Sequence, residues 1–165
     1  MWKIPFKMML VNTGAKVKAL ALFVGLLIAS QVAIAEDGLL HAPGGATVDE
    51  TVQKALKVLA AQKMTVFLQL DHAQGGRQQG LEMRDMQLIV FGNPALGGSL
   101  IQCAPTVGID LPLKLLVWED LQGNVFVSYN DPAYLADRHE MSLCAPLIRQ
   151  LSQKLDTIVK AIGDR

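Results

Sequence analysis

Apolar positions along this chain recur with two periods, and the switches between them mark its elements. Val48, Val52, Ala55, Leu56, Leu59 and Ala60 return at helical spacing, which gathers them on one face of a helix. Thr47-Val48-Asp49-Glu50 opens that helix as a capping box: the Thr47 hydroxyl accepts from a free backbone N–H, and Glu50 reaches back. Lys54, Lys57 and Lys63 lie toward its C-terminal half, where cations suit the helix dipole. Leu147, Ile148, Leu151, Leu155, Ile158, Val159 and Ile162 trace a second stripe, predicting a last helix that ends near Gly163. Asn93-Pro94 and Asp131-Pro132 each put a capping side chain ahead of a proline at the first helical position. They predict helices running to about Ala104 and through Arg138.

The strand pattern fills the gaps. Thr65–Leu70 is rich in strand formers, and Met86–Phe91 is a continuous apolar run of the kind a well-covered central strand shows. Leu113–Trp118 and Asn124–Tyr129 read as a hairpin closed through Glu119–Gly123, and Leu39–His41 as an edge strand. Ala73–Asp85, with Gly75, Gly76 and Gly80, holds a short helical piece. The expected fold is therefore α+β: a two-layer sandwich with a mixed sheet of four or five strands backed by helices. The mixed character comes from pairing Thr65–Leu70 parallel to Met86–Phe91, through a link of about fifteen residues that is just long enough for a crossover.

Composition changes the picture at the N-terminus. Lys3, Lys7, Lys16 and Lys18 precede an apolar run from Ala19 to Ala29, and Ala33-Ile34-Ala35 follows as an A-x-A pattern. That order reads as a signal peptide over residues 1–35, cleaved after Ala35. The apolar run is too short for a spanning helix, so no stable membrane anchor is expected after cleavage. The expected location is the periplasm or outside the cell, with residues 36–165 as a single domain. With those four lysines removed, 11 basic residues face 15 acidic ones. Such a domain lacks the basic balance that nucleic-acid binding requires. Export also alters the reading of Cys103 and Cys144, the two cysteines of the chain. In an oxidising compartment they either form a disulfide or sit as two small buried hydrophobes.

Five ordered phrases then carry a resemblance. They are Asp71-His72-Ala73, Leu88–Pro94, Gly108–Lys114, Val117–Asp120 and Tyr129–Pro132. Together they resemble the domain of unknown function 302 family over residues 47–139. The resemblance implies a small α+β fold, a homodimer and no established activity. Cys103 and the helix after Met141 depart from the family picture, and that helix is expected as an addition to the shared region.

Standard catalytic and metal signatures are absent: no C-x-x-C, H-E-x-x-H, G-x-S-x-G or Walker sequence occurs. The pattern names no cofactor. What remains is a set of polar residues at strand ends, where helix N-termini present unpaired N–H groups. With the parallel pairing, Asp71, His72, Asn93, Tyr129, Asn130 and Asp131 would converge on one edge and bind a small ligand or metal. Each also has a structural reading: Asn93 and Asp131 as helix caps, Asp71 as a turn former, His72 as a surface histidine. Glu119 and Asp120 read as hairpin carboxylates, Asp110 as a cap of the turn before Pro112, and Trp118 and Tyr129 as packing residues. Two alternatives stand beside ligand binding. One is a small hydrolase with His72 or His139 as general base; the other is a structural or dimerisation module without a ligand.

Overall fold

The computed structural model describes residues 38–163; the expected signal peptide lies outside them. The elements follow the order β1 (Leu39–Pro43), α1 (Val48–Ala61), β2 (Thr65–Asp71), α2 (His72–Gln78), β3 (Met86–Gly92), α3 (Pro94–Cys103), β4 (Leu113–Glu119), β5 (Val125–Asn130), α4 (Pro132–Arg138) and α5 (Ala145–Gly163). Short 3-10 turns occupy Pro105–Ile109 and Ser142–Cys144. The local signals read from the sequence act where they were found. Thr47 Oγ1 accepts from Glu50 N at 3.1 Å, and Asn93 and Asp131 each cap the helix that their proline begins.

The five strands form one sheet in the order β1-β5-β4-β3-β2. Every neighbouring pair is antiparallel. The fold is α+β as expected, but β2 and β3 are not parallel. The reason lies in the link between them. A parallel crossover must carry the chain back along the whole strand, whereas this link spends seven residues on α2, at the end where β2 finishes. β3 therefore starts beside Asp71, with Gln87 opposite it, and runs back until Gly92 faces Thr65.

Alternation along the strands decides which side chains enter the core. Ile89, Phe91, Leu115, Val117 and Val127 are fully buried on one face. Against them lie Val52, Ala55 and Leu59 of α1 and Leu155, Ile158 and Ile162 of α5. Each of the Val, Leu, Ile and Phe side chains contributes about 1.5–3 kcal/mol by leaving water. Outward positions on the opposite face include Leu68 and Leu70, which remain 51% and 43% exposed. A register shift between Val66 and Leu68 leaves Phe67 without a partner on β3, and its ring stands 53% exposed.

The Cys103–Cys144 disulfide is formed. It ties the end of α3 to the turn that leads into α5.

Candidate functional site

The antiparallel arrangement separates the residues that the sequence placed together. Asp71 and His72 lie at the sheet end that carries Met86, Glu119 and Val125. Asn93 and the Tyr129–Asp131 segment lie at the other end, beside Thr65, Leu113 and Leu39. Within that end β4 stands between β3 and β5, so Asn93 and Asn130 are two strand spacings apart, roughly 10 Å. Tyr129 and Asn130 point to opposite faces by alternation, and Tyr129 is buried in the core. The six residues do not form one site.

Three of them have a defined local side-chain partner. Asp71 Oδ1 accepts from Gln74 N at 2.7 Å, and Asp131 Oδ1 accepts from Ala133 N at 2.8 Å. Asn93 Oδ1 accepts from Ala95 N and Leu96 N, while its amide donates to the Lys63 carbonyl at 3.3 Å. Asp120 closes the hairpin by accepting from Gln122 N, Asn124 N and the Asn124 amide. His72 is exposed. Among the described residues no group of three His, Cys, Asp or Glu side chains is arranged to hold a metal.

Asp110 caps the Pro105–Ile109 turn through its backbone, whose N–H donates to the Val107 carbonyl at 3.0 Å, and its side chain has a further role. Its carboxylate accepts from His139 Nε2 at 2.6 Å, and Arg138 Nε stands 3.6 Å from the same oxygen. With Nε2–H donating to this carboxylate, the tautomer follows. His139 Nδ1 is then an acceptor for the Thr106 hydroxyl at 3.0 Å. The order carboxylate, imidazole, hydroxyl resembles a nucleophile relay in chemistry. However, the His139 side chain is only 4% exposed and lines none of the cavities described below. Both ring nitrogens are spent joining the Pro105–Ile109 turn to the end of α4. A second polar cluster lies on the outer sheet face. Ser128 Oγ, itself buried, accepts from Trp118 Nε1 at 2.7 Å and meets His41 Nδ1 at 2.6 Å.

An apolar concave feature lies at the Asn93 end. A cavity of about 250 Å³ opens between α3, the Phe67 bulge, the Gly92–Pro94 corner and the Leu111–Leu113 segment. Its walls are almost wholly apolar, with Met64, Phe67, Leu96, Ile101, Leu111 and Pro112 among the lining residues. Part of the lining is supplied by residues that lack side chains. Gly97 and Gly98 face the cavity from the middle of α3, and Gly108 from the 3-10 turn. A Cβ placed on any of the three would meet nothing within 4 Å. A glycine in a helix interior costs about 1 kcal/mol relative to alanine, and α3 carries two in succession. That cost keeps open a space which larger side chains would fill. Gly92 serves the same wall differently, because a Cβ there would stand 3.5 Å from the Phe67 ring.

The sequence reading missed this cavity while naming one of its residues, Asn93. A signal was present: Gly97-Gly98 inside a strongly capped helix contradicts local propensity, and such conflicts gather at functional sites. Phe67 gave no signal, since a bulge is not visible in a run of strand formers.

Comparison with known proteins bears on the family. A solved structure of an uncharacterized conserved DUF302 protein from Bacillus stearothermophilus matches with a TM-score of 0.70 and 16% identity, covering 76% of this chain and 98% of that one. It shows the shared fold. Among curated proteins, fluoride-specific ion channel FluC 1 of Brucella suis is 37% identical over 133 residues, covering 79% of this chain and 52% of that protein. Fluoride-specific ion channel FluC 2 of Brucella melitensis matches at the same 37%, with 49% of its length covered. The chain thus spans about half the length of the curated relatives it matches. The model of the domain of unknown function DUF302 matches residues 42–162. That region takes in nearly all of α5, so the C-terminal helix is part of the shared domain and not an addition to it. With the match covering most of its length, the chain belongs to the DUF302 family.

Proposed function

We propose that this is an exported binding domain whose ligand inserts an apolar group into the cavity between α3 and the Phe67 bulge. The observation that carries the reading is the bare Gly97-Gly98 face of α3, opposite an apolar wall. A cavity of roughly 150 Å³ lined by hydrophobic side chains already accepts benzene. A space of about 250 Å³ therefore holds a larger apolar group. Ligand pockets have this make-up, mostly hydrophobic with a few polar groups that set orientation. Asn93 is the polar side chain among the cavity's lining residues.

Binding is favoured over hydrolysis because His139 engages both ring nitrogens internally, and His72 stands exposed at the other sheet end. Export rests on the leader pattern of residues 1–35, and a secreted product beginning at Glu36 is the expected outcome. The names of the Brucella relatives bring an ion channel into view. Only about half of each corresponds to this chain, and no described helix is long and apolar enough to cross a membrane. An attached ligand-binding module fits those facts better than an ion pathway.

The test is titration with the neutral fluorescent probe N-phenyl-1-naphthylamine, using the native protein and Gly98→Val. Saturable fluorescence enhancement is expected for the native protein and none for the variant, at an unchanged or higher melting temperature. Equal enhancement in both proteins would contradict the assignment.

A further inference from the structure

Beside the apolar cavity lies a cleft of opposite character. This second space, about 580 Å³, lies on the other side of α3 and shares Met64, Asn93 and Leu96 with the first. Its polar lining comes from Gln62, Lys63, Ser99, Gln150, Gln153 and Lys154. No Asp or Glu is among its lining residues, although acidic residues outnumber basic ones in the chain after Ala35, 15 to 11. Neither lysine forms an ion pair among the described residues. Lys154 Nζ donates to Gln62 Oε1 at 3.0 Å, a neutral partner. Lys63 sits on the turn after α1, where its carbonyl receives the Asn93 amide.

From this juxtaposition we infer that the ligand is an anionic amphiphile: a linear apolar chain in the first cavity and a carboxylate beside Lys63 and Lys154 in the second. The inference deepens the binding reading above and rests on it. Three observations support this ligand class. The apolar cavity lacks charged side chains to hold a polar solute. The adjoining cleft carries two cations and no anion, so it favours negative charge. The residues common to both spaces place the junction at Asn93, at the start of α3. A purely apolar ligand would leave the lysine cleft unused, and a purely ionic one would leave the cavity empty.

The experiment is calorimetric titration of the native protein and of Lys63→Met/Lys154→Met with octanoate and, separately, with 1-octanol at low ionic strength. Methionine keeps an apolar stem while removing the charge. The double variant is expected to lose about tenfold or more in octanoate affinity, the scale of one charge-assisted hydrogen bond, and to bind 1-octanol as the native protein does. Added salt should weaken octanoate binding in the native protein and not in the variant. If the double variant unfolds, Lys63→Met alone is measured, with the same sign expected. Unchanged octanoate affinity with 1-octanol still bound would overturn the carboxylate assignment while leaving the apolar pocket standing. Failure of the native protein to bind either probe would overturn both.

Discussion

His139 donates through Nε2 to the Asp110 carboxylate across 2.6 Å, joining residues 29 apart in the chain. The contact pins the Pro105–Ile109 turn, which brings Gly108 to the apolar cavity, to the end of α4. Hydrogen bonds to charged groups contribute about 1.5–3 kcal/mol, and orphaning a buried partner costs at least as much. Asp110→Asn and His139→Ala should therefore each lower unfolding free energy by about 2 kcal/mol in urea titration. A loss below about 0.5 kcal/mol, typical of exposed substitutions, would remove the contact from any structural role.

The Cys103–Cys144 bridge closes a loop of 41 residues. In the chain-entropy model such a closure contributes about 3–4 kcal/mol. The Cys103→Ser/Cys144→Ser protein should lose that much stability, and the native protein should resist alkylation unless first reduced. Two freely alkylated thiols in protein recovered under oxidising conditions would contradict the bridge.

Asn93 and Asp131 make the same kind of cap, yet only Asn93 borders the cavity. Alanine at either position should cost about 1 kcal/mol of stability. Asn93→Ala should also weaken N-phenyl-1-naphthylamine binding, whereas Asp131→Ala should leave it unchanged. Equal effects on binding would show that Asn93 acts through helix stability alone.

Two groups set pH dependence at opposite extremes. Burial, then the negative charges of Asp156 and Asp131, hold the Tyr129 phenol above its ordinary value of 10.0. Above that value the unfolded chain releases the proton before the native one does, so stability falls as pH rises. Tyr129→Phe should flatten the alkaline limb of the stability curve. Asp120 is held below its ordinary 3.8, first by the Asn124 side chain. Its contribution is present above 3.8 and is lost as pH falls through the depressed native value. Asp120→Asn should therefore weaken the acid dependence of amide exchange in the β4–β5 hairpin. Unaltered pH profiles in these two variants would remove both assignments.

Local chemistry was legible in the sequence where one segment sufficed to determine it. The Thr47, Asn93 and Asp131 caps, the amphipathic stripes of α1 and α5, and the Asp120 hairpin each depend on residues a few positions apart. The pairing of β2 with β3 was not, because both orientations satisfy the same apolar pattern and the link length permits either. That one ambiguity assembled Asp71, His72 and Asn93 into a site that the antiparallel sheet divides between its two ends. The cavity escaped for a related reason. It is made by what Gly97, Gly98 and Gly108 lack, and by a bulge at Phe67 that depends on the partner strand. His139 meeting Asp110 likewise required the path of the whole chain.

The most direct measurement is a methyl-resolved NMR titration of the native protein and Gly98→Val with 1-octanol. The expected result is saturable shifts of the Leu96, Leu100, Ile101 and Leu113 methyls in the native protein, and their absence in a folded variant. Shifts confined to Leu68, Leu70 and Leu88 on the outer sheet face, or identical shifts in both proteins, would contradict a ligand site beneath α3.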